Sequence, residues 1–310
     1  MFDDVYKKKE FLNFNDFFKL ELENSNLSPV TKKNQKSTLN RLNEFNNDIS
    51  FDSINFEFLH DFERFLRSSK CDIKFKDQPI RKLNQNTIYK YFKNIKTYVN
   101  LAINKDLMNI NQYPFRKFKV KKIESERQYL TPTEVELIEN CVLKNDLENY
   151  QLAKDLFLFS VYTGLRYSDV MSLEISNIVY VNGETWIIKK AQKNLHSTEM
   201  PVKIPIETLF NGKAKDIIYK YYKLGNSNVF PPATNQHLNR CLKKISDVSN
   251  VFKPITFHSA RHTTATYLIS KGANLTTVQK ILGHTKITTT QIYGHIMDST
   301  ILNDLKAINF

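Results

Sequence analysis

The chain has 310 residues, 41% of them hydrophobic, enough for one large or two ordinary cores, which excludes a disordered chain. Lys and Arg number 45 against 32 Asp and Glu, a net charge of +13 that points first to a polyanionic partner, nucleic acid above all, although a Lys- and Asn-rich composition also arises from an AT-rich genome. Seven Gly and nine Pro are few breakers for this length and predict long helices. No apolar run approaches the about 20 residues of a membrane span, and the first ten residues lack a signal peptide's apolar stretch. Cys71, Cys141 and Cys241 form no CxxC pair, so neither a disulfide framework nor a cysteine zinc site is expected, and a cytoplasmic protein is.

In chain order, Phe11, Phe14, Phe17 and Phe18 form a first helical stripe. Ser28-Pro29 followed by Thr31 marks the next helix start, with Leu39, Leu42 and Phe45 on one face and a stop at Asn46-Asn47-Asp48. A further stripe holds Phe58, Phe62, Phe65 and Leu66. Residues 87–104 predict a long helix with Ile88, Tyr91, Phe92, Ile95, Tyr98, Val99, Ala102 and Ile103 inward and Lys90, Lys93 and Lys96 off that stripe, as a phosphate-binding face or an ordinary solvated one. Residues 114–122, Pro-Phe-Arg-Lys-Phe-Lys-Val-Lys-Lys, alternate basic and apolar and read as an extended basic linker. The expected division is a helical domain over 1–113, a linker over 114–130 and a second domain over 131–310. The first 122 residues carry +9 and the remainder +4.

Thr131-Pro132-Thr133-Glu134 carries a capping hydroxyl, a proline at the first helical position and a capping-box glutamate. Residues 152–162 are apolar on most sides and predict a central helix ending at Gly164. The period then changes from helical to alternating: residues 178–181, the pair Asn182-Gly183 and residues 185–188 predict a two-residue hairpin, with a third strand over 200–206. From about residue 208 the pattern is helical again, with Gly272 and Gly283 where helix C-caps belong. The fold class is mainly α with a small antiparallel sheet.

Four polar clusters could carry chemistry. Arg166 follows the apolar helix and precedes one that Ser168 could cap; its guanidinium is aimed at a cavity or partner, or is paired structurally with Asp169. Lys189, Lys190 and Lys193 lie in the hairpin loop. His258, Arg261 and His262 share a helix face; the two histidines have zinc-site spacing, but Ser259 stands where the general-base Glu of HExxH belongs, so each histidine reads otherwise as a core or capping residue. His284 follows Leu282-Gly283, and Tyr293 lies nine residues on. A tyrosine nucleophile suits a DNA phosphodiester, because the phosphotyrosyl ester keeps the bond energy for rejoining, given arginines for the phosphate and a proton donor for the leaving 5′ oxygen.

Thr-Gly-Leu-Arg-Tyr-Ser-Asp at 163–169, a hairpin lysine, His-Ser-Ala-Arg-His-Thr-Thr-Ala-Thr at 258–266, Leu-Gly-His at 282–284 and Thr-Thr-Thr-Gln-Ile-Tyr at 288–293 together resemble the tyrosine recombinases, or phage-type integrases. The first half, with Ser28-Pro29-Val30-Thr31, Asn86-Thr87-Ile88 and Asn100-Leu101-Ala102, resembles their SAM-like core-binding domain more loosely. The resemblance implies an N-terminal helical SAM-like domain followed by an α+β catalytic domain. It assigns Arg166 and Arg261 to the phosphate, Tyr293 to the attack, His258 to proton transfer near the tyrosine and His284 to a hydrogen bond with the phosphate. Gln192-Lys193 ahead of Ile204-Pro205 fits the general-acid lysine best, with Asn194 in place of the family's Thr and Lys189 and Lys190 as alternatives. Asp169 orients the site from behind.

The implied activity is site-specific recombination of double-stranded DNA through a 3′-phosphotyrosyl intermediate, without metal or cofactor, by a bacterial, nucleoid-associated, cytoplasmic enzyme. The rivals are DNA relaxation by type IB topoisomerase chemistry, a DNA-binding factor without catalysis, and a metal-dependent nuclease, which lacks a carboxylate cluster near the histidines. A clamp around the duplex is expected, with Arg116, Lys117, Lys119, Lys121 and Lys122 crossing the backbone and steeply salt-dependent binding. About ten residues precede the first stripe, so binding at the core site alone is expected. The family implies a chain that is monomeric or weakly associated when free and a homotetramer on two DNA sites, with accessory DNA-bending proteins as further partners. A terminal stripe of Ile301, Leu302, Leu305 and Ile308 would dock on the next protomer or on its own domain.

Overall fold

The computed structural model describes residues 13–69, 82–124, 127–143, 148–190, 201–223 and 225–294. The chain divides into two compact units, Met1–Ser125 and Glu126–Phe310. Phe11, Cys71, Lys193 and the terminal stripe from Ile301 lie outside the described residues.

Among the described residues, the first unit is built from four α-helices: α1 (Phe14–Asn24), α2 (Pro29–Phe45), α3 (Phe56–Ser68) and α4 (Gln85–Asn104). Each begins at a short polar side chain that accepts a main-chain N–H left open by the first turn: Asn13, Ser28, Asn55 and Asn84. Ser28 caps with Pro29 at the first helical position, as the sequence predicts. The inward stripes meet in an aromatic core, where Phe14, Phe17, Phe18 and Phe62 are fully buried and Phe18 stacks on Tyr98 with centroids 3.6 Å apart.

The stretch expected to be a linker belongs to this core. Residues 114–116 form a 3-10 turn, and Phe115 and Phe118 are buried in the aromatic cluster. Phe118 packs against Phe92 at 4.8 Å, His60 at 5.2 Å and Phe56 at 6.3 Å between centroids. The chain then runs back along α4: Gln85 Nε2 donates to the Lys121 carbonyl (2.7 Å), and Asn86 exchanges two hydrogen bonds with Ile123. Alternation of basic and apolar residues is equally the pattern of a segment laid on a surface, apolar side chains inward and charges outward. Beyond it, Leu130 joins the second unit's core, so residues 114–130 are shared between the two units.

The second unit is organised around two buried helices. α5 (Pro132–Asn140) starts on the predicted capping box of Thr131 and Glu134. α6 (Glu148–Thr163) is the central helix, packed against α8 (Lys213–Tyr221), α9 (Asn235–Val248) and α10 (Phe257–Ser270). Between them come α7 (Tyr167–Met171) and the antiparallel sheet of β1 (Ile178–Val181), β2 (Glu184–Lys189) and β3 (Val202–Pro205), in that order. Asn182 and Gly183 both have positive φ, 51° and 79°, as a two-residue hairpin turn requires. α11 (Leu275–Leu282) packs against β3 and α10, and α12 (Thr288–Gly294) against α10 and α11. Arg166, not Ser168, occupies the N-cap position of α7, and Ser168 lies inside the helix.

Because Phe118 fills the core, Phe118→Ala should destabilise the first unit by about 3 to 5 kcal/mol in chemical denaturation of the full chain. Lys117→Ala, one residue away, should stay within about 0.5 kcal/mol. Equal, small effects from both would return the segment to the role of a linker.

Candidate active site

α10 carries three of the site's side chains, and its other faces fix how they point. Thr264 Oγ1 donates to the Val161 carbonyl of α6 (2.7 Å), and Thr263 Oγ1 accepts the Leu130 N–H (2.9 Å). Thr256 precedes the helix, and the Ser259 hydroxyl accepts the Thr256 N–H (2.7 Å). With Ser259, Ala260, Thr263 and Thr264 buried, positions 258, 261 and 262 share a remaining face.

Arg261 is 3% exposed. Its Nη1 donates to the Gly164 carbonyl (2.7 Å) and its Nη2 to the Leu282 carbonyl. Both acceptors stand at helix C-termini, those of α6 and α11, where carbonyls lack partners within the helix and the helix dipole is negative. Glycine makes each end possible. Gly164 has φ 71° and a Cβ there would collide with Leu282, while Gly283, φ 61°, lies so close to Val202 that a Cβ would overlap Cγ1. Burial, then the neighbouring Arg166, push the Arg261 guanidinium down to about 9, which leaves it charged at neutral pH. Two of its five N–H donors serve the fold, and the others suit an anion.

Arg166 lies two residues after Gly164 and is half-buried, with Nη1 3.7 Å from Oδ2 of buried Asp169. The ion pair expected as the structural alternative for Arg166 therefore exists, and it leaves the guanidinium beside Arg261. Lys189 is buried: its Nζ donates to the Ser172 carbonyl (2.5 Å) and Asn177 Oδ1 (3.3 Å). Burial lowers its pKa while Asp169 and Glu174 work against the shift. Its ammonium is thus committed to the fold, whereas Lys190 is exposed. Lys189 pairs with Val202, and Val202 lies against Gly283, so the paired ends of β2 and β3 adjoin the end of α11 whose Leu282 carbonyl Arg261 binds.

Tyr293, on α12, is 3% exposed. Its hydroxyl lies 2.7 Å from His262 Nδ1. The Tyr293 ring is parallel to that of half-buried His284 at 6.5 Å between centroids, and Arg127 sits 5.8 Å from its ring centroid as a cation–π partner. His284 Nδ1 lies 2.8 Å from Thr290 Oγ1. His258, exposed on α10, meets the His262 ring edge to face at 4.5 Å. Desolvation, then Arg261, Arg127 and Arg166, lower the His258 pKa. His262 is pushed down to about 3 by burial, then by His258, Arg127 and Arg261, and His284 to about 3 by burial and the same arginines with Arg166.

Arg166, His258, Arg261, His284 and Tyr293 therefore come together in the second unit. Two residues join them that the sequence reading did not assign to the site: His262, whose i+4 spacing from His258 is also that of a core neighbour, and Arg127, which carries no motif. The basic residues that the sequence offers for DNA contact lie on the first unit. Lys90, Lys93 and Lys96 of α4 are exposed, as are Arg116, Lys117, Lys119, Lys121 and Lys122 on the segment beside it, and Lys96 Nζ lies 6.0 Å from the Phe115 ring centroid.

A histidine held neutral in the fold stabilises it above the unfolded-state value near 6.5, and that stability is lost as pH falls below it. At pH 5.5 buried His262 should have lost about 1.4 kcal/mol of its contribution. The melting temperature should fall from pH 7.5 to 5.5, and less steeply in His262→Asn; equal slopes would show that His262 titrates normally in the fold.

Both units are similar to known proteins. Residues 128–300 match the phage integrase family and residues 13–120 the phage integrase SAM-like domain. The tyrosine recombinase XerD of Halalkalibacterium halodurans is 33% identical over 175 residues, 54% of this chain and 56% of that protein. A tyrosine recombinase of Thermosipho africanus is 26% identical over 251 residues, 80% of this chain and 83% of that one. Among solved structures, the Tn1549 transposon integrase in complex with transposon right end DNA superposes with a TM-score of 0.72 at 17% identity, over 95% of this chain and 99% of that one. A lambda integrase dimer bound to a core site gives 0.70 at 17%, over 92% and 96%. With the two family models covering both units, the chain belongs to the phage integrase family of tyrosine recombinases.

Proposed function

We propose that the chain is a site-specific recombinase that breaks and rejoins DNA through a 3′-phosphotyrosyl intermediate, in integration or excision of a mobile element or a related exchange. The observation that carries this reading is the convergence of a buried tyrosine hydroxyl, two arginines and three histidines on one site. Arg261 and Arg166 clamp the scissile phosphate, and their charge is worth most as negative charge builds on its oxygens at the transition state. Tyr293 attacks the phosphorus in line with the leaving 5′ oxygen. His258 assists proton transfer near the tyrosine, and His284, neutral, donates a hydrogen bond to a phosphate oxygen. Asp169 holds Arg166 from behind.

Lys193 is the general acid for the 5′ oxygen in this reading. Lys189, by contrast, is bound to the Ser172 carbonyl. The exposed basic residues of the first unit track the DNA backbone, and their contacts weaken as salt rises. Relatives point the same way: the Tn1549 integrase structures hold transposon-end and circular-intermediate DNA, and lambda integrase forms a tetramer on a Holliday junction. A homotetramer on two duplexes is the assembly this reading requires.

The test is incubation of the protein in EDTA with nicked duplexes from the ends of the element that encodes it. An SDS-resistant, protease-sensitive DNA adduct is expected from the wild type and none from Tyr293→Phe. Specific binding without any adduct would leave a binding factor, and cleavage only on adding magnesium would leave a nuclease.

A further inference from the structure

Of the three histidines, His262 is the one whose ring nitrogen lies within hydrogen-bond distance of the Tyr293 hydroxyl, at 2.7 Å, among the described residues. The sequence reading gives proton transfer near the tyrosine to His258, but the hydrogen-bond contact of the phenol is with His262, and His258 meets the His262 ring at 4.5 Å between centroids. Tyr293 and His262 are 3% and 7% exposed, so bulk water has little access to the phenol in this arrangement. A neutral imidazole with its proton on Nε2 presents Nδ1 as an acceptor, and the Tyr293 O–H then donates to it.

We propose that His262 is the general base of the reaction, receiving the Tyr293 proton at Nδ1 as the phenol oxygen attacks phosphorus. The proposal rests on the nucleophilic role given to Tyr293 above. The step balances. The Tyr293 O–H bond breaks with its proton going to Nδ1, the tyrosyl O–P bond forms, and the bond from phosphorus to the 5′ oxygen breaks. The leaving oxygen takes a proton from the general acid. On rejoining, the 5′ hydroxyl attacks, returns its proton to that acid, and His262 gives its proton back to the phenol.

The groups facing His262 explain why such a base can rest safely without DNA. His258 and Arg261 on the same helix, Arg127, and Tyr293 with His284 beyond it surround the ring, and the arginines oppose a positive charge on it. A phosphodiester between Arg166 and Arg261 brings a negative charge into that group and raises the proton affinity of His262 when the substrate is in place. The base is thereby coupled to occupancy of the phosphate site.

The test uses the full chain and single-turnover adduct formation on nicked duplexes from pH 6 to 9. His262→Asn keeps a hydrogen-bond acceptor near the phenol but removes the basic nitrogen, and His262→Gln serves as a second variant should Asn fail to fold. DNA affinity should be unchanged and cleavage slowed by about 100-fold or more, with the rate rising about tenfold per pH unit where the wild type is flat. A wild-type rate and profile in a folded His262→Asn would overturn the proposal and leave His262 holding the ring in place. Faster cleavage would overturn it in favour of a clasp on the tyrosine, and the same pH signature in His258→Asn alone would move the role to His258. No adduct from the wild type would instead overturn the nucleophilic reading of Tyr293, and this proposal with it.

Discussion

The catalytic unit is arranged around one costly act, the burial of the Arg261 charge. An isolated guanidinium in a protein interior is strongly unfavourable unless its donors are met. Here they are met by main-chain carbonyls at the ends of α6 and α11, the places in a helical protein where carbonyls stand unpartnered and the dipole is negative. That solution dictates the surroundings. α6 and α11 must both stop beside α10, each stops at a glycine with positive φ, and close packing at both glycines leaves no room for a Cβ. The same carbonyls orient the guanidinium plane, so its remaining donors are presented without a further ordering cost when a phosphate arrives.

Tyr293, proposed above as the nucleophile, is reached from the same helix. Arg261 and His262 are adjacent in sequence, and one turns to the helix ends while the other reaches α12 and the tyrosine hydroxyl. Burial first, and then positive charge from the arginines around the site, favours the neutral form of the histidines, which suits hydrogen-bond donors and acceptors better than cations. An anionic substrate relieves that field. In the proposed reaction phosphate binding and proton transfer are therefore parts of one electrostatic balance, and a site of this kind has no need of a charged base before DNA is bound.

Much of this was legible in the sequence because the chemistry sits at helix boundaries, and boundaries leave local signals. Gly164 before Arg166, Gly283 before His284 and the capping box at Thr131 each mark a place where a helix must begin or end, whatever the tertiary structure. The hairpin was equally clear, since Asn182-Gly183 serves a turn in which both residues have positive φ. The segment after Pro114 was not, because alternating Phe and Lys describe both an extended linker and a strap with its rings in a core; the fate of Phe115 and Phe118 depends on a cleft made by α3 and α4, which no local pattern records. Arg127 meets Tyr293 across 166 positions of sequence, and His262, though on the same helix face as His258, shares its spacing with any buried helical residue, so the contacts of both with Tyr293 were visible only in three dimensions.

The most direct measurement of the central claim is identification of the modified residue and of the DNA end it holds. Peptides from the covalent complex, digested with protease and nuclease and read by tandem mass spectrometry, should carry a nucleotide 3′-phosphate on Tyr293, with the other DNA end released as a 5′ hydroxyl. A nucleotide on another tyrosine, or a tyrosine joined to a 5′ phosphate, would contradict the account, because the arginines, the histidines and the buried phenol would then have been assembled around the wrong reacting atom.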